Sequence, residues 1–204
     1  MMVVVNYGVG NLSSVHNMLR KAGAEVIISD QPADILAADK LLLPGVGHFD
    51  YGMKMLNDSG LRAALDTFAL ELKKPVLGIC LGAQILGKGS EEGTTSGLGW
   101  IDMGCKRLPA AEGLRVPHMG WNKIQRVKPT PLLDGMTEDA RYYFVHSYYM
   151  ECANKEDIAA TANHGITFTC AVQRGNIYGT QFHPEKSLRH GLALMKALVE
   201  MPHE

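Results

Sequence analysis

The feature that most constrains this chain is a set of short, uninterrupted apolar runs separated by helical segments. Residues 2–5, 40–43 and 75–79 are apolar at nearly every position. A strand with one wet face would alternate. These runs do not, so they predict strands buried on both sides. Between them, residues 13–22 carry Val15, Met18, Leu19 and Ala22 at helical spacing and stop at Gly23. Residues 61–72 put Leu61, Leu65, Phe68 and Leu72 on one helical stripe. Residues 25–28 add another strand, residues 33–38 a short helix at most, and Pro44-Gly45 cuts the third apolar run. This alternation predicts an α/β fold with a mostly parallel central sheet and helices on both faces.

The second half has a different pattern. Residues 121–127, 142–149, 166–173 and 177–182 alternate or are rich in aromatics, with turn residues between them. They predict added, largely antiparallel strands. Residues 187–199 predict a closing amphipathic helix with Leu188, Leu192, Met195 and Val199 on one face. No repeat or linker interrupts the pattern, so residues 1–204 read as a single domain. Residues 87–99, with five glycines, are the one flexible-looking stretch.

Charge and cysteine content narrow the function classes. The chain has 20 Lys+Arg against 21 Asp+Glu, a formal charge of −1, which leaves no electrostatic footprint for nucleic acid or an anionic membrane. No apolar run approaches the length of a membrane span. The N-terminus lacks the basic and long apolar regions of a signal peptide. The four cysteines, at 80, 105, 152 and 170, form no close pair, so a reduced, cytoplasmic protein is expected. No metal-ligand spacing is present, and no cofactor is called for.

The most informative segment is Gly78-Ile79-Cys80-Leu81-Gly82-Ala83-Gln84, which follows a buried strand and enters a helix. Gly-x-Cys-x-Gly at such a junction is a nucleophile elbow with sulfur in place of oxygen. The turn is tight, so the residues two before and two after the nucleophile must be nearly without side chains. The start of a helix favours an anionic nucleophile, and the Leu81 N–H is placed to donate to a developing oxyanion. Taken alone, the motif also describes a buried structural cysteine. Cys105, Cys152 and Cys170 have no such setting and read as structural.

Gln181-Phe182-His183-Pro184-Glu185 supplies a second group. In extended chain, residues i and i+2 point the same way, and Pro184 keeps His183 out of the helical region. His183 and Glu185 then emerge side by side. A histidine can accept the thiol proton, and a carboxylate can fix its tautomer. Taken alone, His-x-Glu also describes an ordinary surface pair. His48, His118 and His146 lie in glycine- or aromatic-rich segments that can line a site, whereas His16, His164, His190 and His203 read as helix or surface residues.

Together these segments resemble the class I, triad glutamine amidotransferases. Those enzymes hydrolyse the side-chain amide of glutamine through a cysteinyl thioester and deliver ammonia to a second site. Asn6-Tyr7-Gly8-Val9-Gly10-Asn11, Pro44-Gly45-Val46-Gly47, Pro117-His118-Met119-Gly120-Trp121-Asn122 and Tyr143-Phe144-Val145-His146-Ser147-Tyr148 are similar to segments of one branch. That branch is the glutaminase subunits of imidazole glycerol phosphate synthase, and the similarity covers essentially the whole chain. It implies Cys80 as nucleophile, His183 as base and acid, and Glu185 as orienter. It implies an oxyanion hole from Gly45, Val46, Gly47 and Leu81, and glutamine-holding positions at Gln84, Glu92, His146, Ser147 and Tyr148. It also implies a partner face at Asn11, Trp121 and Tyr143. Asn6 departs from an acidic residue common in relatives, and Ala83 from a methionine.

The resemblance further implies a heterodimer with a cyclase subunit of (β/α)₈-barrel type in histidine biosynthesis. The chain ends about twenty residues after Glu185, whereas such a barrel needs roughly 250. Two other readings compete. One is a paralogous glutaminase that feeds a synthase of amidino sugars for surface polysaccharide. The other is a catalytically silent, redox-sensing α/β protein, against which the intact His183-Pro184-Glu185 argues. The glycines flanking Val46 also suggest a switch, in which the peptide before Val46 turns either a carbonyl or an N–H to the site.

Overall fold

The computed structural model describes residues 1–110 and 112–202; His203 lies outside them. The strands, in chain order, are β1 (Met2–Val5), β2 (Val26–Ser29), β3 (Lys40–Gly45), β4 (Val76–Cys80), β5 (Gly89–Ser90), β6 (Met103–Arg107) and β7 (His118–Lys123). They continue as β8 (Gln125–Arg126), β9 (Arg141–His146), β10 (Tyr148–Cys152), β11 (Ile158–His164), β12 (Ile166–Arg174) and β13 (Ile177–Thr180). The α-helices are α1 (Leu12–Lys21), α2 (Pro32–Ala37), α3 (Phe49–Asp58), α4 (Arg62–Asp66), α5 (Leu81–Gln84) and α6 (Leu188–Glu200).

One large sheet runs in the order β2-β1-β3-β4-β13-β12-β10-β6-β5, with β11 on β12 and β8 on β11. The pairings from β2 through β1, β3 and β4 to β13 are all parallel. Neighbouring residues of the central strands go to opposite faces, as the pleat requires. Val3, Val5, Leu41 and Leu43 join Ile35 of α2, Phe49, Met53 and Leu56 of α3, and Leu65 of α4. Val4, Leu42, Leu77 and Ile79 join Val15 and Leu19 of α1 and Leu194, Met195 and Leu198 of α6. Each fully buried Leu or Val contributes roughly 1.5–3 kcal/mol. The mixed α/β fold expected from the apolar runs is therefore present, with helices on both faces.

Several elements differ from expectation. Residues 177–182 were expected among the added antiparallel strands, but β13 pairs in parallel with β4, Thr180 opposite Ile79, and antiparallel only with β12. This puts the ends of β4 and β13 side by side at one edge of the sheet. The third strand is not cut by Pro44-Gly45. It continues to Gly45, opposite Cys80. β1 pairs with β3 only as far as Leu42, so Pro44 lies where β3 is an edge on that side, a place that tolerates proline. The stripe at 61–72 is α4 followed by a π turn, Thr67–Glu71. Tyr142–Tyr149 is two strands, broken at Ser147, with β9 forming a separate two-stranded sheet with β7. α3, β6 and β11 were not anticipated.

The glycine-rich segment 87–99 is tied down by main-chain bonds, Gly97 N–H to Lys88 at 2.9 Å and Leu98 N–H to Ile85 at 2.7 Å. Asp50, in the first turn of α3, accepts from the N–H groups of Thr94 and Thr95. These bonds hold its carboxyl below the ordinary range. Glu92 reciprocates by accepting from the Phe49 N–H at 2.9 Å. Among the described residues, no helix is long and apolar enough to cross a membrane.

Candidate active site

Cys80 ends β4 with φ 54° and ψ −112°, a conformation that costs a non-glycine residue of order 1–3 kcal/mol. The glycines on either side are explained by packing. A Cβ on Gly78 would sit 2.4 Å from the Gly82 carbonyl oxygen, and one on Gly82 would sit 1.7 Å from that of Leu43. The turn can form only if both side chains are absent. The following helix α5 is a single turn of 4 residues. A helix this short presents no long helix dipole to the sulfur.

His183 arrives from β13. Its N–H donates to the Tyr143 carbonyl at 2.9 Å, and the side chains of His183 and Glu185 are 1% and 2% exposed. Nδ1 donates to Glu185 Oε1 at 2.7 Å. Nε2 is buried, has no hydrogen bond of ordinary length among the described residues, and is turned to the Cys80 sulfur. Burial opposes a charge on the ring. The Cys80 sulfur and the Glu185 carboxylate outweigh it and push the imidazole up to about 10. Such a ring holds its proton at neutral pH when it faces a thiolate.

Cys80 and His183 open into a cavity of about 410 Å³ that Val46, Gly47, Leu81, Gln84 and Glu92 also line. His146, Ser147 and Tyr148 form the opposite wall, and His48 joins them. Gly45 is buried behind the cavity. A Cβ there would meet the Gly82 nitrogen at 2.6 Å and the Tyr7 hydroxyl at 2.8 Å. Tyr7 itself donates to the Pro44 carbonyl at 2.6 Å. Gly47, by contrast, has φ +98° and open space around it. The two glycines flanking Val46 are thus not equivalent. Gly45 is clamped in the strand, and the freedom lies at Gly47.

A chain of hydrogen bonds supports the far wall. His146 Nδ1 donates to the Tyr148 carbonyl at 2.8 Å. A carbonyl only accepts, so the neutral ring has its free lone pair on Nε2, which takes the Nδ1–H of His118 at 2.9 Å. His118 Nε2 then accepts from Asn122 Nδ2 at 3.2 Å. Burial pushes both rings down, His118 to about 4 and His146 to about 3, so both are neutral in this chain.

The chain is similar to known proteins over nearly its whole length. The sequence profile described as "Glutamine amidotransferase class-I" matches residues 3–199. The chain belongs to the class I glutamine amidotransferases. It is 50% identical over 201 residues to "Imidazole glycerol phosphate synthase subunit HisH 2" of Pseudomonas aeruginosa, covering 98% of this chain and 100% of that one. It is 42% identical over 204 residues to "Imidazole glycerol phosphate synthase subunit HisH" of Bdellovibrio bacteriovorus, covering 98% and 100%. Among solved structures, PurLQS from Thermotoga maritima shares the fold at a TM-score of 0.75, with 18% identity and coverage of 97% of this chain and 96% of that one.

In this family member, the residues expected at a partner face lie apart from the cavity. Trp121 is 44% exposed and meets Tyr143 edge to face, with ring centroids 6.0 Å apart. Lys186 Nζ lies 5.8 Å from the centre of the Tyr143 ring. Neither aromatic is core packing. Asn11 is exposed at the start of α1. Asn6, at the end of β1, accepts from the Gly8 N–H through its side chain, and Ala83 is buried in α5. Burial pushes up the thiols of Cys105, Cys152 and Cys170, as suits structural cysteines.

Sequence reasoning missed Tyr7 and Gln181. The signal for Gln181 was its place two residues before His183 in the segment read as extended, where i and i+2 share a direction; in the structure residues 181 and 182 form a bend. Tyr7 had no such signal, because its contact depends on β1 and β3 being neighbours.

Proposed function

We infer that this chain is the glutaminase subunit of an imidazole glycerol phosphate synthase, with Cys80, His183 and Glu185 as its catalytic groups. The observation that carries this reading is His183, held by Glu185 at 2.7 Å on one side and turned to an elbow cysteine on the other. The thiolate attacks the side-chain amide carbon of glutamine. Charge then moves to the amide oxygen, where the N–H of Leu81 and one from the loop 45–47 stabilise it. The His183 imidazolium gives its proton to the departing nitrogen, which leaves as ammonia. The neutral imidazole then removes a proton from water, which attacks the thioester and releases glutamate. The tetrahedral intermediate then expels the Cys80 thiolate, which leaves His183 protonated as at the start, and the new carboxylic acid of glutamate loses its proton to solvent. Glu92, on the cavity wall, suits the α-ammonium group of glutamine.

Ammonia is mostly protonated in neutral water, and ammonium is not a nucleophile. A shielded path to the acceptor is therefore needed. The proposed partner is a separate cyclase subunit of (β/α)₈-barrel type, docked on the face that carries Asn11, Trp121 and Tyr143, in a cytoplasmic heterodimer. Reconstitution tests this. The chain mixed with such a cyclase and its ribulosyl aminoimidazole substrate should support product formation from glutamine. Cys80→Ala should abolish that reaction while leaving synthesis from ammonium salts intact. A chain that hydrolyses glutamine but does not bind the cyclase would instead serve a different acceptor, such as an amidino-sugar synthase.

A further inference from the structure

The Gln181 side chain is fully buried beside the reacting sulfur, and neither the triad nor the glutamine-holding positions account for it. Its Nε2 lies 3.7 Å from Cys80 Sγ, a normal N–H···S distance. Its Oε1 accepts from Gln84 Nε2 at 3.1 Å. The same Gln84 nitrogen donates to the Tyr148 carbonyl, also at 3.1 Å.

These contacts fix which way each amide points. The Tyr148 carbonyl can only accept, so Gln84 must present its NH₂ group there. That NH₂ also meets Gln181, which must answer with its oxygen. The Gln181 NH₂ is then left facing the sulfur. Burying an amide without partners is costly, and here the hydrogen bonds of the Gln181 side chain lie on the line from Tyr148 through Gln84 to Cys80. His183 approaches the same sulfur as a separate group.

We propose that Gln181 is a positioning residue that donates an N–H to the Cys80 sulfur. It fixes the direction in which the sulfur points and stabilises its negative charge before attack and again when the thioester expels it. A hydrogen bond to a charged group is stronger than one to a neutral group, so the contact favours thiolate over thiol. The assignment rests on Cys80 being the nucleophile of the proposed glutaminase.

The test compares wild type with Gln181→Met, which keeps the volume and loses the donor, in the complex with the synthase subunit. Two quantities are read: the pH dependence of Cys80 alkylation by iodoacetamide, and kcat and KM for glutamine. The alkylation midpoint should move up by about one pH unit. The value of kcat should fall roughly 10- to 100-fold, with KM changed by less than about twofold. A purely packing role would not move the alkylation midpoint. Should Gln181→Met fail to fold, Gln181→Leu, which also lacks the donor and adds no charge beside the sulfur, is read in the same way. A folded variant with the wild-type alkylation profile and kcat overturns the assignment alone. A wild-type complex with no glutaminase activity overturns the proposed function and this assignment with it.

Discussion

The main-chain N–H of His183 donates to the carbonyl of Tyr143 at 2.9 Å, and this isolated antiparallel bridge joins the exposed aromatic face to the cavity. The side chain of Tyr143 lies between Trp121 and Lys186, while its backbone holds the histidine. The Ser187 hydroxyl donates to the His183 carbonyl at 2.6 Å and its oxygen accepts from the Tyr143 N–H at 2.9 Å, which closes the link from the other side.

Because Trp121 is large, aromatic and 44% exposed at this face, Trp121→Ala should weaken association with the synthase subunit. A buried aromatic anchor in an interface is worth roughly 2 kcal/mol or more, so Kd should rise at least about 30-fold. Titration of the two subunits by fluorescence or calorimetry measures this. An unchanged Kd would place the partner face elsewhere.

The two carboxyl-to-sulfur links should differ in their cost. His183→Ala removes the group proposed to carry the proton in both half-reactions. Glu185→Gln leaves the ring in place and loses only the charge and the firm tautomer. Glutaminase rates should therefore fall in the order wild type, Glu185→Gln, His183→Ala, with Cys80→Ala lower by about 10⁴ or more. Steady-state ammonia release from glutamine gives the order, and a Glu185→Gln rate equal to wild type would remove Glu185 from the mechanism.

What the sequence disclosed divides along local and long-range lines. Cys80 and its two glycines were legible because the constraint is local, a turn that leaves no room for a Cβ at 78 or 82. His183 and Glu185 were legible as a pair because Pro184 keeps His183 itself extended, although the extended run expected through Glu185 stops there: Pro184–Lys186 is a turn of 3-10 helix, and Glu185 meets the ring from that turn. The parallel pairing of β13 with β4 was not legible. A four-residue apolar strand reads the same in either direction, and only the choice of neighbour decides it. That pairing is what brings residue 183 to residue 80. Tyr7 was hidden for the same reason, and α3 because a glycine at 52 obscured the spacing of Phe49, Met53 and Leu56.

His118 and His146 make a prediction about acid stability. Their pKa values, about 4 and about 3, lie below the unfolded value of about 6.5. The unfolded chain therefore binds more protons below pH 6.5. The stability that these two rings support is fully present above that pH and is lost as the pH falls toward 4 and then 3. Each should contribute up to roughly 1.4 kcal/mol per pH unit to the slope. Urea unfolding between pH 7 and pH 5 measures it, and His118→Gln should flatten the slope by one proton. A slope identical to wild type would mean that His118 is charged in the fold.

The loop before α3 makes the sharpest prediction about turnover. Gly45 is wedged against Gly82 and Tyr7, while Gly47 has φ +98° and no neighbour in the way of a Cβ. An alanine at 47 would therefore clash with nothing, yet it would be forced from a conformation that only glycine adopts freely, at a cost of roughly 1–3 kcal/mol. Gly23, just past the end of α1, has nearly the same geometry, φ +96° with open space, and lies outside the cavity. The two alanine variants should lose similar stability, but only Gly47→Ala should lose activity. If the loop supplies one of two oxyanion donors, its misplacement costs about 10²–10³ in rate. Val46→Pro, which deletes an N–H outright, should fall in the same range. Free chain should turn over glutamine slowly and speed up when the synthase subunit and its nucleotide substrate are bound, because a partner can favour the loop conformation that presents the N–H. Glutaminase rates of Gly47→Ala, Gly23→Ala and wild type, each free and in the loaded complex, decide the matter. Equal rates for the free wild-type chain and its loaded complex, or equal losses in the two glycine variants, would show that the loop does not control the oxyanion.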